Sequence, residues 1–157
     1  MKKLDTIDQQ ILMLLQADAK MNIKSIARQL NMSKTPIYER IRRLEKEGII
    51  QKYVAVLDRS LLPSSMVVFC TVTLDVQKLE QLKQFNEAIS CIPEVLECYL
   101  MGGVFDYMLK VVVADLKAYH EFSSGKLASL PHVSKIQSSF VLDEVKLSTV
   151  YDIRSNT

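Results

Sequence analysis

Nowhere in the chain does an apolar run approach the roughly 18 residues that a membrane span needs. The opening MKKLDTID lacks the apolar core of a signal peptide, so the expected location is the cytoplasm. Cysteine is scarce: Cys70, Cys91 and Cys98 form an odd set without zinc-binding or redox spacing. Each lies in or beside an apolar run, which predicts buried, reduced thiols rather than ligands. The two histidines, His120 and His132, stand alone, and neither reads as catalytic. No nucleophile–base pair, metal cluster or glycine-rich phosphate loop is visible, and the expectation is that the protein is not an enzyme and holds no metal or cofactor.

What is there is an ordinary globular composition with an uneven distribution of charge. Of 157 residues, 48% are hydrophobic and 24% charged, enough to bury one sizeable core or two small ones. The net charge of +2 hides an asymmetry. Residues 1–53 carry 11 Lys/Arg against 6 Asp/Glu, a net of +5, and the remainder carries a net of −3. A basic first third joined to a mildly acidic remainder suggests a nucleic-acid module attached to something else.

The basic residues coincide with a helix pair. In NMSKTPIYERIRRLEKEGII, residues 31–50, Ser33 stands where a helix N-cap belongs and Pro36 falls within the first turn. Ile37, Ile41 and Leu44 recur at helical spacing, and Gly48 suits a left-handed C-terminal cap. The other arc of this helix shows Lys34, Thr35, Tyr38, Glu39, Arg42, Arg43 and Lys46. Most basic helices are solvated surface helices, but a second helix just before this one points to a helix-turn-helix reading the DNA major groove. Asn22 caps that second helix, with Ile23, Ile26, Ala27 and Leu30 inward, and Asn31 tolerates the left-handed turn between the two. Asp5 or Thr6 caps a first helix with Ile7, Ile11, Leu14 and Leu15 on one face. Asp5 and Asp8 look like a carboxylate pair, but near a helix N-terminus capping is the better reading. IIQKYVAVL then reads as a strand, serving as a wing, a hinge or both.

Pro63 and the serines of DRSLLPSS mark a linker. Beyond it MVVFCTVTL, VLECYLM, YMLKVVV and VSKIQSSFVL read as strands, with helices in VQKLEQLKQFNEAISCI and DLKAYHEFSSGKLASL. The helices turn Leu79, Leu82, Phe85 and Ile89, and Leu116, Tyr119, Phe122, Leu127 and Leu130, inward. The expected class is therefore α+β: residues 1–53 a helix-turn-helix domain, 54–65 a strand and linker, and 66–157 a ferredoxin-like βαββαβ domain. On its first strand Met66, Val68, Cys70, Val72 and Leu74 point under the helices. Val67, Phe69, Thr71 and Thr73 point the other way, extended by Val95, Tyr99 and Met101 or by Met108 and Val112. Such a half-apolar face is larger than a monomer usually exposes and calls for sheet-to-sheet dimerisation.

With these residues read, the chain resembles the Lrp/AsnC family, the leucine-responsive or feast/famine transcription regulators. LDTIDQQIL and LNMSKTPIYERIRRLEKEGII carry the likeness at the N-terminus, and ECYLMGGVFDYMLKV and SSFVLDEVK carry it in the C-terminal sensing domain. The resemblance implies a homodimer on double-stranded DNA, often assembled further into octamers, with an amino-acid effector bound between dimers. The family's effector turn maps to Gly102, Gly103, Val104, Phe105, Asp106 and Tyr107. There glycines bring backbone N–H groups close to a carboxylate, and Asp106 accepts from an ammonium group. A tight hairpin whose glycines serve geometry alone is the plain alternative. Gln137, Ser138 and Ser139 are candidates for an opposite wall. The family often has a polar residue where this chain has Val104, which tilts the effector toward leucine or methionine. Lys52 replaces a common glycine and adds charge near the DNA. The expected DNA-contacting set is Ser33, Lys34, Thr35, Tyr38, Glu39, Arg42, Arg43 and Lys52. An architectural DNA-compacting protein without a ligand response would use the same parts.

Overall fold

The computed structural model describes residues 4–58 and 65–153, in two compact units. The first joins the residues up to Leu57 with those from Lys146 onward; the second is Asp58–Val145. The linker expected around Pro63 lies outside the described residues.

The first unit holds three helices, α1 (Thr6–Ala17), α2 (Ile23–Gln29) and α3 (Lys34–Lys46). Asp5 caps α1 in a reciprocal box: its carboxylate accepts from the Asp8 N–H at 2.8 Å, and Asp8 accepts from the Asp5 N–H at 3.2 Å. Asn22 caps α2 by accepting from the Ser25 N–H at 2.9 Å. Both α2 and α3 end in the same way. After α2, Asn31 takes φ 51° while the Met32 N–H donates to the Ala27 carbonyl. After α3, Gly48 takes φ 72° while the Ile49 N–H donates to the Leu44 carbonyl. These are paired Schellman ends, each turning the chain sharply and satisfying a carbonyl the helix leaves free. Ile11, Leu15, Ile26, Ala27, Ile37, Ile41 and Leu44 form the core, each large one contributing about 1.5–3 kcal/mol by burial.

The second unit is a four-stranded antiparallel sheet, β1 (Met66–Leu74), β2 (Val95–Leu100), β3 (Tyr107–Val113) and β4 (Val133–Phe140), in the order β2-β3-β1-β4. The helices α4 (Leu79–Ser90) and α5 (Leu116–Glu121) complete the βαββαβ series expected from the sequence. Val68, Cys70, Val72 and Leu74 of β1 alternate into the core with Tyr107, Leu109, Val111 and Val113 of β3. They meet Phe85 and Ile89 of α4 and Tyr119 of α5, with the Phe85 and Tyr107 rings 4.4 Å apart.

Several local expectations change. Residues 49–58 form no strand, because Ile49 and Ile50 fold back to donate to Leu44 and no other segment among the described residues offers a ladder. Leu79 and Leu116, each the first residue of its helix, are exposed rather than inward. Helix α5 is short and passes into a π-helical turn, Phe122–Leu127, which brings these two residues, five apart, both into the core. Val67 is buried although it alternates with the core positions. Val95 packs on the helix side, while Tyr99, Met108 and Val112 lie on the open side with Phe69 and Thr71. Of the thiols only Cys70 is buried, since Cys91 follows the end of α4 and Cys98 lies on the edge strand β2. Residues 146–153 make their contacts with the first unit.

Candidate nucleic-acid interface and sensing turn

Helix α3 divides its residues cleanly. Ile37, Ile41 and Leu44 are buried, whereas Ser33, Lys34, Thr35, Tyr38, Glu39, Arg42, Arg43 and, beyond the helix, Lys52 are all exposed. Ser33 has the extended backbone of an N-cap, but its hydroxyl makes no cap bond, and Ser33, Lys34 and Thr35 are all exposed at this helix end, where the first N–H groups have no intrahelical partner. A positive helix end with free donors is suited to phosphate oxygens. Arg42 is held in place by its neighbour one turn back. Its Nη1 donates to the Tyr38 hydroxyl at 3.0 Å, and its guanidinium lies 5.8 Å from the centre of the Tyr38 ring.

Arg43, although on the exposed arc, has a partner within the chain. Its Nη2 lies 2.5 Å from Asp8 Oδ2, and Arg40 Nη1 lies 2.7 Å from Asp8 Oδ1 and 2.5 Å from Asp5 Oδ2. Asp8 is 1% exposed, so α3 is fastened to the start of α1 by a buried carboxylate gripped from two sides. The clamp went unread in the sequence, though it left a signal. Asp5 and Asp8 are spaced by three, and so are Arg40 and Arg43, which puts two matched pairs of opposite charge on facing helices. A further bond ties the segment after α3 to the helix end: the Tyr53 hydroxyl donates to Glu45 Oε1 at 2.9 Å.

The turn between β2 and β3 is anchored at one end and open at the other. Asp106 is 7% exposed and uses every polar group it has. Its N–H donates to the Val72 carbonyl, its carbonyl accepts from Met101, Oδ2 accepts from the Leu74 N–H at 2.7 Å, and Oδ1 accepts from Gln77 Nε2 at 2.7 Å. The residue expected to meet an ammonium group thus has both carboxylate oxygens engaged within the protein. Tyr107 is likewise core, and Phe105 is half-buried. Gly102, Gly103 and Val104 stand free, Val104 at 95% exposure. Neither glycine has a left-handed backbone, and a Cβ at either would meet nothing within 4 Å. No packing within the chain therefore requires glycine at these two positions.

The three β4 candidates separate. Ser138 shares a hydrogen bond with the Tyr119 hydroxyl on the helix side of the sheet. Gln137 and Ser139, paired with Thr71 and Phe69, belong to the open side. On the same side, beyond β1, Lys110 and Glu97 are 3.0 Å apart, and the Lys110 ammonium, with the Tyr99 hydroxyl, holds the Glu97 carboxyl below the usual range. Among the described residues no cluster of metal-ligating side chains occurs, and no helix is long and apolar enough to cross a membrane.

Comparison with known proteins matches both units. A winged helix-turn-helix DNA-binding model covers residues 4–51, and the Lrp/AsnC ligand binding domain covers residues 67–151. The leucine-responsive regulatory proteins of Klebsiella pneumoniae and Escherichia coli are each 40% identical over 147 residues, spanning 94% of this chain and 90% of theirs. A transcriptional regulator of Neisseria meningitidis, solved as its L-Met complex, has a TM-score of 0.86 at 31% identity, covering 94% of this chain and 95% of that one. An AsnC family transcriptional regulator of Agrobacterium tumefaciens has a TM-score of 0.87 at 34% identity, covering 94% and 96%. Such proteins are regulators rather than enzymes, and the chain belongs to the Lrp/AsnC family of DNA-binding transcription regulators.

Proposed function

We propose that this regulator binds DNA as a homodimer, assembles further toward octamers, and answers to a small apolar amino acid, leucine or methionine. Its DNA contacts come from the outward arc of α3: Ser33 and Lys34 on phosphate, Thr35, Tyr38, Glu39 and Arg42 toward base edges, and Lys52 on the flanking backbone. Arg43 sits beside that arc and serves chiefly to hold α3 against α1. Dimerisation uses the open side of the sheet, where Phe69 and Tyr99 are exposed and Met108 and Val112 lie half-buried on the same face. A two-fold dimer calls for two half-sites with approximate dyad symmetry.

The observation that carries the effector reading is the state of Gly102, Gly103 and Val104. Two adjacent glycines with no conformational or packing demand inside the chain, followed by a fully exposed valine, leave backbone N–H groups accessible to a carboxylate. Asp106 acts there as a positioning residue that fixes the base of the turn. Val104 offers only apolar contact, which favours a hydrophobic effector side chain. The L-Met complex of the Neisseria regulator and the leucine-responsive relatives are in keeping with that choice.

Titration calorimetry of the full-length protein with each of the twenty amino acids tests the proposal, with Gly103→Ala and Val104→Asp alongside. Leucine or methionine should give saturable heat that both substitutions weaken. Absence of heat or thermal shift at millimolar concentration for all twenty would remove the effector role. A duplex selection from random sequence, run with and without the bound amino acid, then separates a sequence-reading regulator from a protein that merely compacts DNA.

A further inference from the structure

The chain leaves the second unit at Val145 and returns to the first at Lys146, so two stretches of backbone, not one, run between the units. The returning segment is fastened to α1 at a defined point. Gln16, on the outer side of α1, donates from Nε2 to the Tyr151 carbonyl at 3.1 Å and accepts at Oε1 from the Tyr151 N–H at 2.8 Å. A side-chain amide thereby stands in for a strand partner, closing both hydrogen bonds of one residue. Around it Leu12, Leu15, Ile50 and Val54 line an apolar groove between α1 and the segment after α3, and Thr149, Tyr151 and Ile153 border that groove, Ile153 half-buried and the other two exposed. Those three tail residues alternate along the sequence, as an extended chain lying on one surface requires.

We propose that this groove on the DNA-binding unit is a docking surface for the chain's own C-terminal tail, and that the docked tail is a detachable strap restraining the motion of the helix-turn-helix. The occupant is Lys146–Ile153 of the same chain. The fastening suits release: both hydrogen bonds are solvent-exposed and neutral, and neither Gln16 nor Tyr151 belongs to the core of either unit. The point of attachment is also informative. Gln16 lies near the C-terminal end of α1, whereas the Arg40–Asp8–Arg43 clamp lies at its N-terminal end and the outward arc of α3 is left uncovered. A docked tail therefore limits where the unit can go without masking the surface that meets DNA.

The test uses the full-length protein, with Gln16→Ala removing the clasp from the helix and Tyr151→Pro removing the tail N–H. Gln10→Ala, an exposed glutamine on the same helix, is the control. Amide hydrogen exchange at Tyr151 should be slowed at least tenfold relative to an unstructured peptide in the wild type. It should return to the free rate in Gln16→Ala and stay slowed in Gln10→Ala. Nitrogen-15 relaxation should then show shorter effective correlation times for α1–α3 amides, but not for sheet amides, in both Gln16→Ala and Tyr151→Pro. Free exchange at Tyr151 in the wild type would overturn the proposal. So would unchanged relaxation of α1–α3 after either substitution. Protection that appears only at concentrations where chains associate would assign the groove to the tail of another copy and would also overturn it.

Discussion

Replacing Asp8 by alanine should destabilise the helix-turn-helix by about 3 kcal/mol. The figure follows from the surroundings of the carboxylate. Asp8 is almost wholly buried and its two oxygens meet Arg40 at 2.7 Å and Arg43 at 2.5 Å. Breaking a buried ion pair typically costs ~3–5 kcal/mol when the surviving charge is stranded. Here the survivors are arginines that retain access to water, at 26% and 46% side-chain exposure, so the lower end of that range applies. The arginines behave asymmetrically. Arg40→Ala or Arg43→Ala alone leaves Asp8 one partner and should cost roughly 1–2 kcal/mol, whereas removing both leaves an unpaired buried carboxylate and should exceed their sum. Native-state hydrogen exchange at the amides of Ile11, Ile41 and Leu44 reads the opening of this unit without interference from the sheet domain. In Asp8→Ala their protection should fall roughly a hundredfold, the equivalent of about 3 kcal/mol. Protection within a factor of five of wild type, or strictly additive arginine substitutions, would refute the clamp.

Asp106→Ala strands the Leu74 N–H and the Gln77 amide and should lower stability by ~1.5–3 kcal/mol in thermal unfolding; Asp106→Asn, which keeps an acceptor for Leu74, should recover at least half. Arg42→Ala should weaken specific DNA binding by ~1–3 kcal/mol if it reads guanine, or lower the salt slope by about one if it meets phosphate. Tyr38→Phe, which removes the hydroxyl that holds Arg42, should show a smaller loss in the same filter-binding assay. Lowering pH should loosen the Glu97–Lys110 bridge, because a depressed carboxylate contributes stability in full above its unfolded value of 4.5 and loses it as pH falls through the lower folded one. Glu97→Gln should accordingly lower the neutral region of an unfolding-against-pH curve and flatten its acid limb, so that the two proteins converge as the pH falls through the folded value.

The outline of both units was readable because each rests on local signals. Asn31 and Gly48 mark left-handed helix ends through residue type alone, and the period-two pattern of MVVFCTVTL placed β1 with its correct face inward. What escaped was non-local. Nothing in the neighbourhood of Arg43 reveals that α1 brings Asp8 beneath it, and Asp106 looks like an available carboxylate until Leu74 and Gln77 are folded against it. The strand expected over residues 49–57 failed for a related reason. Val54, Val56 and Leu57 have the composition of a strand, but a strand exists only where a partner supplies its hydrogen bonds, and the described residues provide none there. The tail beyond Lys146 has few local signals of any kind, and its attachment to Gln16 depends on one amide meeting one peptide group.

The division of labour within α3 has a bearing on how such a protein diversifies. Ile37, Arg40, Ile41, Arg43 and Leu44 secure the helix, while Lys34, Thr35, Tyr38, Glu39 and Arg42 make no contact with the core. Because these are separate sets of positions on one cylinder, substitutions in the second can accumulate near ±0.5 kcal/mol in folding stability. A gene duplicate can therefore drift in operator preference while its scaffold stays intact, and the angle at which the helix is presented is inherited unchanged. That angle is set by backbone conformation at Asn31 and by the two arginines gripping Asp8, none of which lies among the positions free to vary. Selection can then act on affinity for one DNA sequence over another without first having to restore a damaged fold.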